Sequence, residues 1–249
     1  MAWAGLVGAA VGSFLNVCVY RWPADLSVVS PPSRCGACET PIRWHDNVPV
    51  VGWLWLRGRC RACGVRISIQ YPLVELLTAA LWVMAVWRFG VSWQALSTAL
   101  FFTILLGIAL SDARTYIIPD QFTLGGLVLG LALSFAPGGM EPLRSVIGAA
   151  LGFALLWLVA VVGEWAFKKP AMGGGDIKMM AMVGAFLGPL GVLLTIFLGA
   201  LFGSLIFAPI SYRTGKLVPF GIFLAVGAAI TEPFGTAIID WYVRTFLVM

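Results

Sequence analysis

The sequence predicts an all-α, multi-pass transmembrane helical bundle of about eight spans that carries one small cytoplasmic insert. Three observations support this fold class. The 249 residues are 60% hydrophobic and 11% charged, with a mean hydropathy of +0.95, whereas about a quarter of the residues in soluble domains are charged. Several apolar runs approach or exceed the roughly 20 residues that a spanning helix needs. The long polar stretch at residues 21–70 contains four of the five cysteines.

We divide the chain into a first span (residues 1–20), the insert (21–70) and a transmembrane core (71–249). The first segment is interpreted as a retained span rather than a signal peptide, because no basic residue precedes it and Arg21 follows it. The sixth span is expected to be short and interrupted by glycines. The eight spans are expected to begin near Ala2, Tyr71, Trp93, Gln121, Leu143, Ile177, Pro189 and Leu217.

The basic residues orient these spans. Of the 16 Lys and Arg residues, only Arg88, Arg144 and Arg244 fall in one set of alternating loops. The others fall in the second set, which runs from Arg21 to the loop with Arg213 and Lys216. Cytoplasmic loops carry the excess of Lys and Arg, so we expect the second set to be cytoplasmic and both termini to lie outside. This distribution accounts for the net charge of +5 without nucleic acid as a partner.

The insert predicts a structural zinc site. The segments CGAC and CRAC contain two CxxC pairs, Cys35 with Cys38 and Cys60 with Cys63. Such pairs are typical of tetrahedral zinc with sulfur in all four positions. An insert of about 50 residues has too little core to fold unaided, and a bound metal supplies the missing stability. Two disulfides are the alternative, which a reducing cytoplasm disfavours.

Two further side chains in this half of the chain have simple interpretations. His45 lies between the two CxxC pairs and is interpreted as a surface or packing histidine rather than a fifth ligand. Cys18 lies in the first span and is interpreted as an inert, buried thiol. The predicted metal ligands are therefore the four paired cysteines alone.

Two acids mark the candidate catalytic site. In AMGGGDIKMMAMVGAFLG, Asp176 follows three glycines at the start of an apolar helix, and in LGIALSDARTYIIPDQFTLGG, Asp112 ends another. The predicted topology puts both acids at the cytoplasmic face, where two carboxylates can share a proton and activate a water. Alternatively, Asp112 is an ordinary helix-end residue and Asp176 an N-cap. We interpret Asp120, after Pro119, as an N-cap.

The residues alone leave three function classes open. The paired acids suit a membrane aspartic protease, but an acid-coupled transporter could also use them. A transporter would favour acids near the middle of the bilayer and broken helices in matching halves, whereas these acids cluster at one face. A zinc-stabilised membrane scaffold is the third possibility, and it would not need both acids.

Several motifs resemble the type IV prepilin peptidases. GGGDIK resembles the GxGD signature of membrane aspartic proteases, and SDARTYIIPD resembles the other acid motif of the prepilin peptidases. GSFLNVCVYR, the two CxxC pairs, ISIQYPLVELLT and VPFGIFLAVGA match that family in order and spacing. The resemblance covers nearly the whole chain. It implies that residues 71–249 form an aspartic protease core in which Asp112 and Asp176 are the catalytic pair.

The resemblance also implies a reaction and its partners. Members of this family cut the basic leader from type IV prepilins and pseudopilins after a glycine, at the cytoplasmic face of the bacterial inner membrane. Many bacterial members then N-methylate the new N-terminus with S-adenosylmethionine. A prepilin or pseudopilin substrate, S-adenosylmethionine and membrane lipids are therefore expected. No glycine-rich nucleotide fingerprint places the S-adenosylmethionine site in this sequence.

Five residues are expected to contact the substrate. Gly173, Gly174 and Gly175 cannot clash with an extended substrate, which could pair with this arm through backbone hydrogen bonds. A simple flexible loop is the alternative. Glu75 is expected to pair with a cation of the leader or with an internal arginine. Lys178 either favours the ionised form of Asp176 or anchors the helix, and the loop arginines are expected to hold anionic lipid head groups.

Overall fold

The computed structural model describes residues 1–169, 172–214 and 219–247. Every regular element in these ranges is helical, apart from two isolated β-bridges in the insert. Lys216 and Leu217, on which the last predicted loop and span depend, lie outside the described residues, as does the side chain of Arg213. The chain forms two compact units, the first Met1–Thr103 and the second beginning at Ile104.

The first unit contains helices α1 (Ala2–Arg21), α2 (Val51–Trp55) and α3 (Gln70–Phe89). α1 and α3 are antiparallel and approach closely at the glycines of α1. A Cβ on Gly8 would lie 2.8 Å from Ala79 Cα, and a Cβ on Gly12 would lie 2.8 Å from Glu75 Cα. Small residues at such contacts let membrane helices gain van der Waals packing, because lipid offers no hydrophobic drive to associate.

The end of this helix pair that joins the insert is closed by polar and aromatic contacts around Tyr71. Asn16 Nδ2 donates a hydrogen bond of 3.2 Å to the carbonyl of Tyr71. The rings of Tyr20 and Tyr71 are stacked, with centroids 5.6 Å apart. These contacts fix the end of α1 beside the start of α3, so that the insert between them leaves and returns at neighbouring positions.

The second unit contains four complete helices and most of one that begins in the first unit. Tyr116 and Lys168, with φ of 56° and 54°, each follow the last residue of a helix. The turn that contains Tyr116 is short, because the next helix begins at Asp120. The helices are α4 (Trp93–Thr115), α5 (Asp120–Leu133), α6 (Pro142–Phe167), α7 (Gly174–Thr214) and α8 (Phe220–Tyr242).

α7 is broken near its middle. Gly188 has a φ of 69° and a ψ of −176°, a conformation that glycine adopts without the steric penalty of a side chain. Pro189 follows it and begins the second helical half, where its missing N–H leaves no bond unmade. The break separates residues 174–187 from residues 189–214.

The two halves of α7 run in opposite directions. Near its start, Gly175 lies against Ile118, and Ile118 also lies against Gly221 in the first turn of α8. In the second half, Gly203 lies against Phe220 in that same turn. A straight helix would separate Gly175 from Gly203 by about 42 Å, so the chain must reverse at the break.

The multi-pass, all-α fold is confirmed. Six helices among the described residues are long and apolar enough to cross a membrane, and the 14-residue α5 is a shorter apolar helix. The predicted sixth and seventh spans correspond to the opposed halves of α7, and the break lies beside the predicted boundary at Pro189. The predicted count of about eight spans therefore holds approximately.

Close backbone contact holds α6 against the first half of α7. Gly148 lies directly against the carbonyl of Gly184, and no Cβ would fit at either position. Ser145 Oγ donates a hydrogen bond of 2.6 Å to the carbonyl of Ala185. The two helices are thus antiparallel, and their register is set by backbone contacts rather than by side chains that could repack.

This register defines the level of Asp176 along α6. Gly152 lies against the carbonyl of Met180, and one helical turn further Leu156 is level with Asp176. Leu156 is the last buried residue of α6. Residues 157–167 continue for about 16 Å beyond that level. Asp176 therefore lies about 16 Å, along the helix axis, from the C-terminal end of α6.

We expect Gly184→Ala to destabilise the protein, because its Cβ would press into the backbone of α6. Overpacking of this kind costs about 1–3 kcal/mol. Gly125→Ala is the matched control, since a Cβ there meets nothing within 4 Å and alanine improves helix propensity by up to about 1 kcal/mol. Reversible unfolding in mixed micelles would measure both free energies, and equal stability of the two variants would contradict the proposed register.

Candidate functional site

Asp112 lies in the last turn of α4 and is 5% exposed. Its Oδ2 accepts a hydrogen bond of 3.2 Å from the backbone N–H of Ile222 in the first turn of α8. A Cβ on Gly221 would lie 2.9 Å from the same oxygen, so glycine lets the backbone of α8 approach the carboxylate. The N-terminal turn of a helix favours negative charge, and α8 therefore stabilises an ionised Asp112.

Asp176 lies in the first turn of α7. Its backbone N–H donates to the carbonyl of Gly173 at 3.2 Å. Its Oδ1 is buried and has no hydrogen-bond partner among the described residues. A buried carboxylate oxygen is unfavourable unless it is paired, so this oxygen is suited to binding a water or a substrate group.

The structure brings the two predicted acids together at one end of the second unit. Asp112 lies against Gly221 at the start of α8, Asp176 follows Gly175 at the start of α7, and both glycines pack against Ile118. Ile118, in the turn between α4 and α5, lies between the starts of α7 and α8. A Cβ on Gly175 would lie 2.9 Å from its Cβ, and a Cβ on Gly221 would lie 2.7 Å from its Cδ1. One isoleucine thus sets the spacing between the starts of α7 and α8.

The three glycines before Asp176 have different surroundings. A Cβ on Gly174 would meet nothing within 4 Å, and a Cβ on Gly173 would meet only Asp176 Oδ2, at 3.4 Å. Gly175 is instead packed against Ile118 and has no room for a side chain. The backbone at residues 173–174 is therefore open beside the acid, whereas Gly175 serves helix packing.

Lys178 pairs with Asp120 rather than with Asp176. Its Nζ lies 2.7 Å from Asp120 Oδ1 and 2.8 Å from Oδ2, and both side chains are partly exposed. The prediction that Asp120 caps α5 is wrong, because Pro119 occupies the cap position and Asp120 is the first helical residue. The ion pair instead ties the start of α5 to the start of α7.

The four predicted metal ligands also come together. The two CxxC turns have the same local fold: Cys35 N–H donates to Thr40 O at 3.0 Å, and Cys60 N–H donates to Val65 O at 2.9 Å. An isolated β-bridge closes each turn, Arg34 with Pro41 and Arg59 with Arg66. Each turn therefore presents its two sulfurs in the same way.

The sulfur positions fit a tetrahedral metal. The four Sγ atoms lie within 4.8 Å of one another, with Cys35 and Cys63 3.8 Å apart and Cys38 and Cys60 4.0 Å apart. Bonds of about 2.3 Å to a tetrahedral zinc put sulfurs about 3.8 Å apart, whereas a disulfide needs about 2.05 Å. All five cysteines are free, so the structure does not contain the alternative disulfides.

The surroundings of two of the four sulfurs favour thiolates. Hydrogen bonding with the side chain and backbone of Thr40 lowers the pKa of Cys38 to about 6. Backbone N–H groups of Cys63 and Ala62 lower the pKa of Cys60. The backbone hydrogen bond with Val65 lowers the pKa of Cys63, but hydrogen bonding with Cys38 and burial outweigh it and raise that pKa to about 11. Because the thiolate is the form that binds metals, metal binding would release the proton of Cys63.

An ion pair clamps the second CxxC turn to the rest of the insert. Arg61 Nε donates to Asp46 Oδ2 at 2.7 Å, and Arg61 Nη2 donates to Asp46 Oδ1. The hydrogen bonds from Arg61 lower the pKa of Asp46, whose side chain is 6% exposed. His45 packs edge-on against Trp44 and is not one of the clustered ligands, as predicted.

Glu75 and Cys18 are both buried in the first unit, at 7% and 1% exposure. Glu75 Oε2 accepts a hydrogen bond of 2.7 Å from the backbone N–H of Val50, just before α2. Val50 has a φ of 60°, which is unusual for a β-branched residue. Glu75 thus contacts the backbone of the insert. The burial of Cys18 agrees with its interpretation as an inert thiol.

Several residues of these sites escaped the sequence analysis. The N–H of Ile222 and the side chain of Ile118 carry no chemical signal, because a backbone donor and a packed isoleucine look like any other helix residue. The Asp46–Arg61 pair joins residues that the spacing of the cysteines does not relate. The segment VPFGIFLAVGA was noted as a motif, and its glycine, Gly221, was the available signal for a close contact.

Comparison with known protein families gives two matches along the chain. Residues 6–89 match the model of the bacterial peptidase A24 N-terminal domain, and residues 99–208 match the type IV leader peptidase family. The first match covers most of α1, the insert and α3. The second covers Asp112, the glycine arm and Asp176. No solved structure matches the chain significantly.

Curated relatives agree with these models. A prepilin leader peptidase/N-methyltransferase of Myxococcus xanthus is 40% identical over 90% of this chain, which spans only 63% of that relative. Proteins with the same name from Aeromonas salmonicida and Neisseria gonorrhoeae are 35% and 36% identical. These alignments cover 97% and 90% of this chain and 93% and 86% of the relatives.

We expect the Lys178–Asp120 pair to contribute measurably to stability. A double-mutant cycle with Lys178→Met and Asp120→Asn should give a coupling free energy of about 0.5–1 kcal/mol, at the upper end for an exposed pair because the contact is bidentate. The control cycle uses Glu141 and Arg144, a more exposed pair at 3.2 Å, and should give less. Unfolding in mixed micelles measures both cycles, and a zero coupling for Lys178–Asp120 would contradict the positioning role.

Proposed function

The chain belongs to the type IV leader peptidase family, as its motifs predict, and on this premise we propose that it cleaves the basic leader of a prepilin or pseudopilin after a glycine. As a member of this family it is an aspartic peptidase. We place the cleavage at the cytoplasmic face of the bacterial inner membrane and assign it to Asp112 and Asp176. Further, we propose that the new N-terminus is methylated.

The observation that carries this assignment is the meeting of Asp112 and Asp176. They come from helices separated by two other helices in sequence, yet Ile118 packs against both Gly175, which precedes Asp176, and Gly221, which lies against the Asp112 carboxylate. Their environments differ, because Asp112 accepts a backbone N–H while Asp176 keeps a buried oxygen without a protein partner. The open glycine backbone beside Asp176 suits an extended peptide, which favours the protease over an acid-coupled transporter.

The two environments suggest different roles for the two acids. One carboxylate, when ionised, takes a proton from a water held between the acids, and the water oxygen attacks the scissile carbonyl carbon. The other acid, when protonated, donates its proton to the carbonyl oxygen, so that no full oxyanion develops. The C–N bond then breaks as the first acid gives its proton to the leaving amine, and a hydroxyl of the tetrahedral intermediate returns a proton to the second acid, which restores the starting state. We expect the carboxylates to approach within roughly 5 Å when substrate is bound.

We propose that the substrate lies extended along residues 173–174. Their backbone faces open space beside Asp176, and an added strand can pair with exposed N–H and C=O groups. Gly173, Gly174 and Gly175 are therefore required for two reasons, substrate access at the first two and packing against Ile118 at the third. Cleavage needs an extended peptide, because a helical carbonyl is already hydrogen-bonded.

The level of the site supports a substrate that is itself anchored in the membrane. α6 extends about 16 Å past the level of Asp176, and its exposed residues there, including Leu158, Val159 and Val162, suit contact with lipid. A substrate helix in the same bilayer can present the start of its apolar segment at this level. The lipids around α6 are thus part of the proposed site.

Glu75 and Lys178 are weaker candidates for substrate contact. Each already binds a group of the protein, Val50 N–H and the Asp120 carboxylate respectively. A role in binding the basic leader would require an exchange of partners. Asp120 is partly exposed beside the arm and could accept a leader cation once Lys178 moves away.

The proposed methyl transfer rests on the name shared by the relatives. S-adenosylmethionine would supply an electrophilic methyl group for the α-amine released by cleavage. The described residues contain no glycine-rich turn between a strand and a helix, so we assign none of them to this cofactor.

We propose that the four-cysteine cluster holds zinc in a structural role. Cys35, Cys38, Cys60 and Cys63 would fill all four tetrahedral positions, which leaves none for a catalytic water. The insert contains one five-residue α-helix and short turns, too little apolar core to fold alone. Metal binding would therefore contribute directly to its folding free energy.

The experiment that tests the catalytic pair is the exchange of each acid for its amide. Asp112→Asn and Asp176→Asn should each lower the rate of leader cleavage by at least about 10²–10⁴-fold, because each removes a proton-transfer group at nearly constant volume. Asp240→Asn, at an exposed position on α8, is the matched control and should be fully active. Mass spectrometry of a cleaved prepilin in nanodiscs gives the rates, and a fast Asp112→Asn or Asp176→Asn enzyme would rule out the pair.

Purified enzyme should contain about one zinc per chain. Exchange of Cys35 and Cys38 for serine should remove the metal and lower the unfolding temperature of the insert, because two of four ligands are lost. Cys18→Ser is the control, since Cys18 is buried outside the cluster, and it should keep its zinc. Elemental analysis together with thermal unfolding measures both effects, and a stable, metal-free wild type would contradict the structural role.

A further inference from the structure

α2 has two faces with different surroundings. On one face Gly52 packs against the backbone of Asp46, and on the same side Trp53 Nε1 donates a hydrogen bond of 3.2 Å to Ile67 O. The other face points away from the insert and is apolar. It consists of Val51, Leu54 and Trp55, which are 59%, 61% and 78% exposed. The helix is therefore fixed on one side and uncovered on the other.

The contact between Val50 and Glu75 sets the level of α2 along α3. Val50, directly before α2, donates its N–H to Glu75, the sixth residue of α3, which lies about 7.5 Å along that helix. α3 has 20 residues, a length of about 30 Å that matches the hydrocarbon core of a bilayer. At the level of Glu75, α3 exposes Leu73, Leu76 and Leu77. α2 thus begins where the neighbouring helix already faces lipid.

The charged residues around α2 also fit a position at the membrane surface. Arg57 and Arg59 follow α2 directly and are exposed. Residues 21–70 contain seven arginines but only three acids, which favours contact with anionic head groups. A short helix with exposed Leu and Trp next to arginines has the composition of an interfacial segment, with aromatic rings at the head-group level and apolar side chains among the acyl chains.

We propose that α2 is an interfacial membrane anchor of the insert. Val51, Leu54 and Trp55 enter the bilayer at the boundary between head groups and acyl chains, and Arg57 and Arg59 contact lipid phosphates. Glu75 is the positioning residue, because its carboxylate holds the backbone at Val50 and thereby the level of α2. The insert is then attached to the bilayer at a third place, besides its two covalent connections to α1 and α3.

Photo-crosslinking tests this anchor in the full-length, metal-loaded enzyme. A diazirine amino acid replaces Trp55 in nanodiscs of phosphatidylcholine, with or without phosphatidylglycerol. The matched control carries it at Val29, which is 86% exposed in the same insert but outside α2, and the lipid-facing reference carries it at Leu76. Mass spectrometry should find several-fold more lipid adducts at position 55 than at 29, with acyl-chain adducts approaching those at 76.

The experiment would overturn the proposal if something other than lipid covers this face. Adducts to a second copy of the chain would make α2 a self-association surface, and adducts to an added prepilin would make it a substrate groove. Equal lipid labelling at positions 55 and 29 would mean that exposure alone explains the result. Exchange of Arg57 and Arg59 for glutamine should abolish any increase in lipid labelling at position 55 that phosphatidylglycerol gives. An increase that persists in this variant would mean that these arginines do not contact the lipid phosphates.

A second variant tests the role of Glu75 without disturbing the anchor itself. Glu75→Gln keeps the size of the side chain but weakens the acceptor for Val50 N–H. We expect lipid adducts at position 55 to fall several-fold while the zinc content stays unchanged, which a merely destabilised insert would not show. Unchanged adducts in this variant would mean that Glu75 does not set the level of α2.

Discussion

The end of the second unit that contains Asp112 and Asp176 depends on the close backbone contact between α6 and the first half of α7. Gly148 and Gly184 allow this contact because neither has a side chain, and it sets how deep Asp176 lies beside the longer α6. The reversal at Gly188 lets the second half of α7 run along α8. The first turn of α8 donates to Asp112. The contact with α6 therefore sets the level of Asp176, and the first turn of α8 sets that of Asp112.

Of the described acids Asp112, Asp120 and Asp176, the first two have protein partners, and the exception is informative. Asp112 accepts a backbone N–H, and Asp120 binds Lys178. Charged groups near lipid are unfavourable unless they are compensated, which explains these pairs. Asp176 keeps one buried oxygen without a protein partner. The uncompensated group lies beside the open backbone of residues 173–174, where a substrate and a water would complete its hydrogen bonds.

The sequence predicts those features that depend on local pattern. Apolar runs give the helices, Pro189 marks the break in α7, and the cysteine spacing gives a cluster that the structure assembles. The two acids were found because each stands alone in apolar surroundings. The ion pairs between residues far apart in the sequence could not be predicted, and Lys178 shows why. Its partner depends on how α5 packs against α7, whereas its sequence neighbour Asp176 is the more obvious choice. Ile222 contributes only a backbone N–H, which no residue type reveals.

The insert and the arm at residues 173–174 differ in how their backbone groups are paired. A backbone near lipid must have its N–H and C=O groups paired. The insert pairs its own, through matching turns at Cys35 and Cys60 and the Asp46–Arg61 clamp, and a metal would hold this arrangement in place of a core. The arm at residues 173–174 remains open. The carbonyl of Gly173 already accepts from Asp176 N–H, whereas the first N–H groups of a helix have no intrahelical acceptor. An extended substrate would accept from these N–H groups, so the open start of α7 is where we propose the peptide binds.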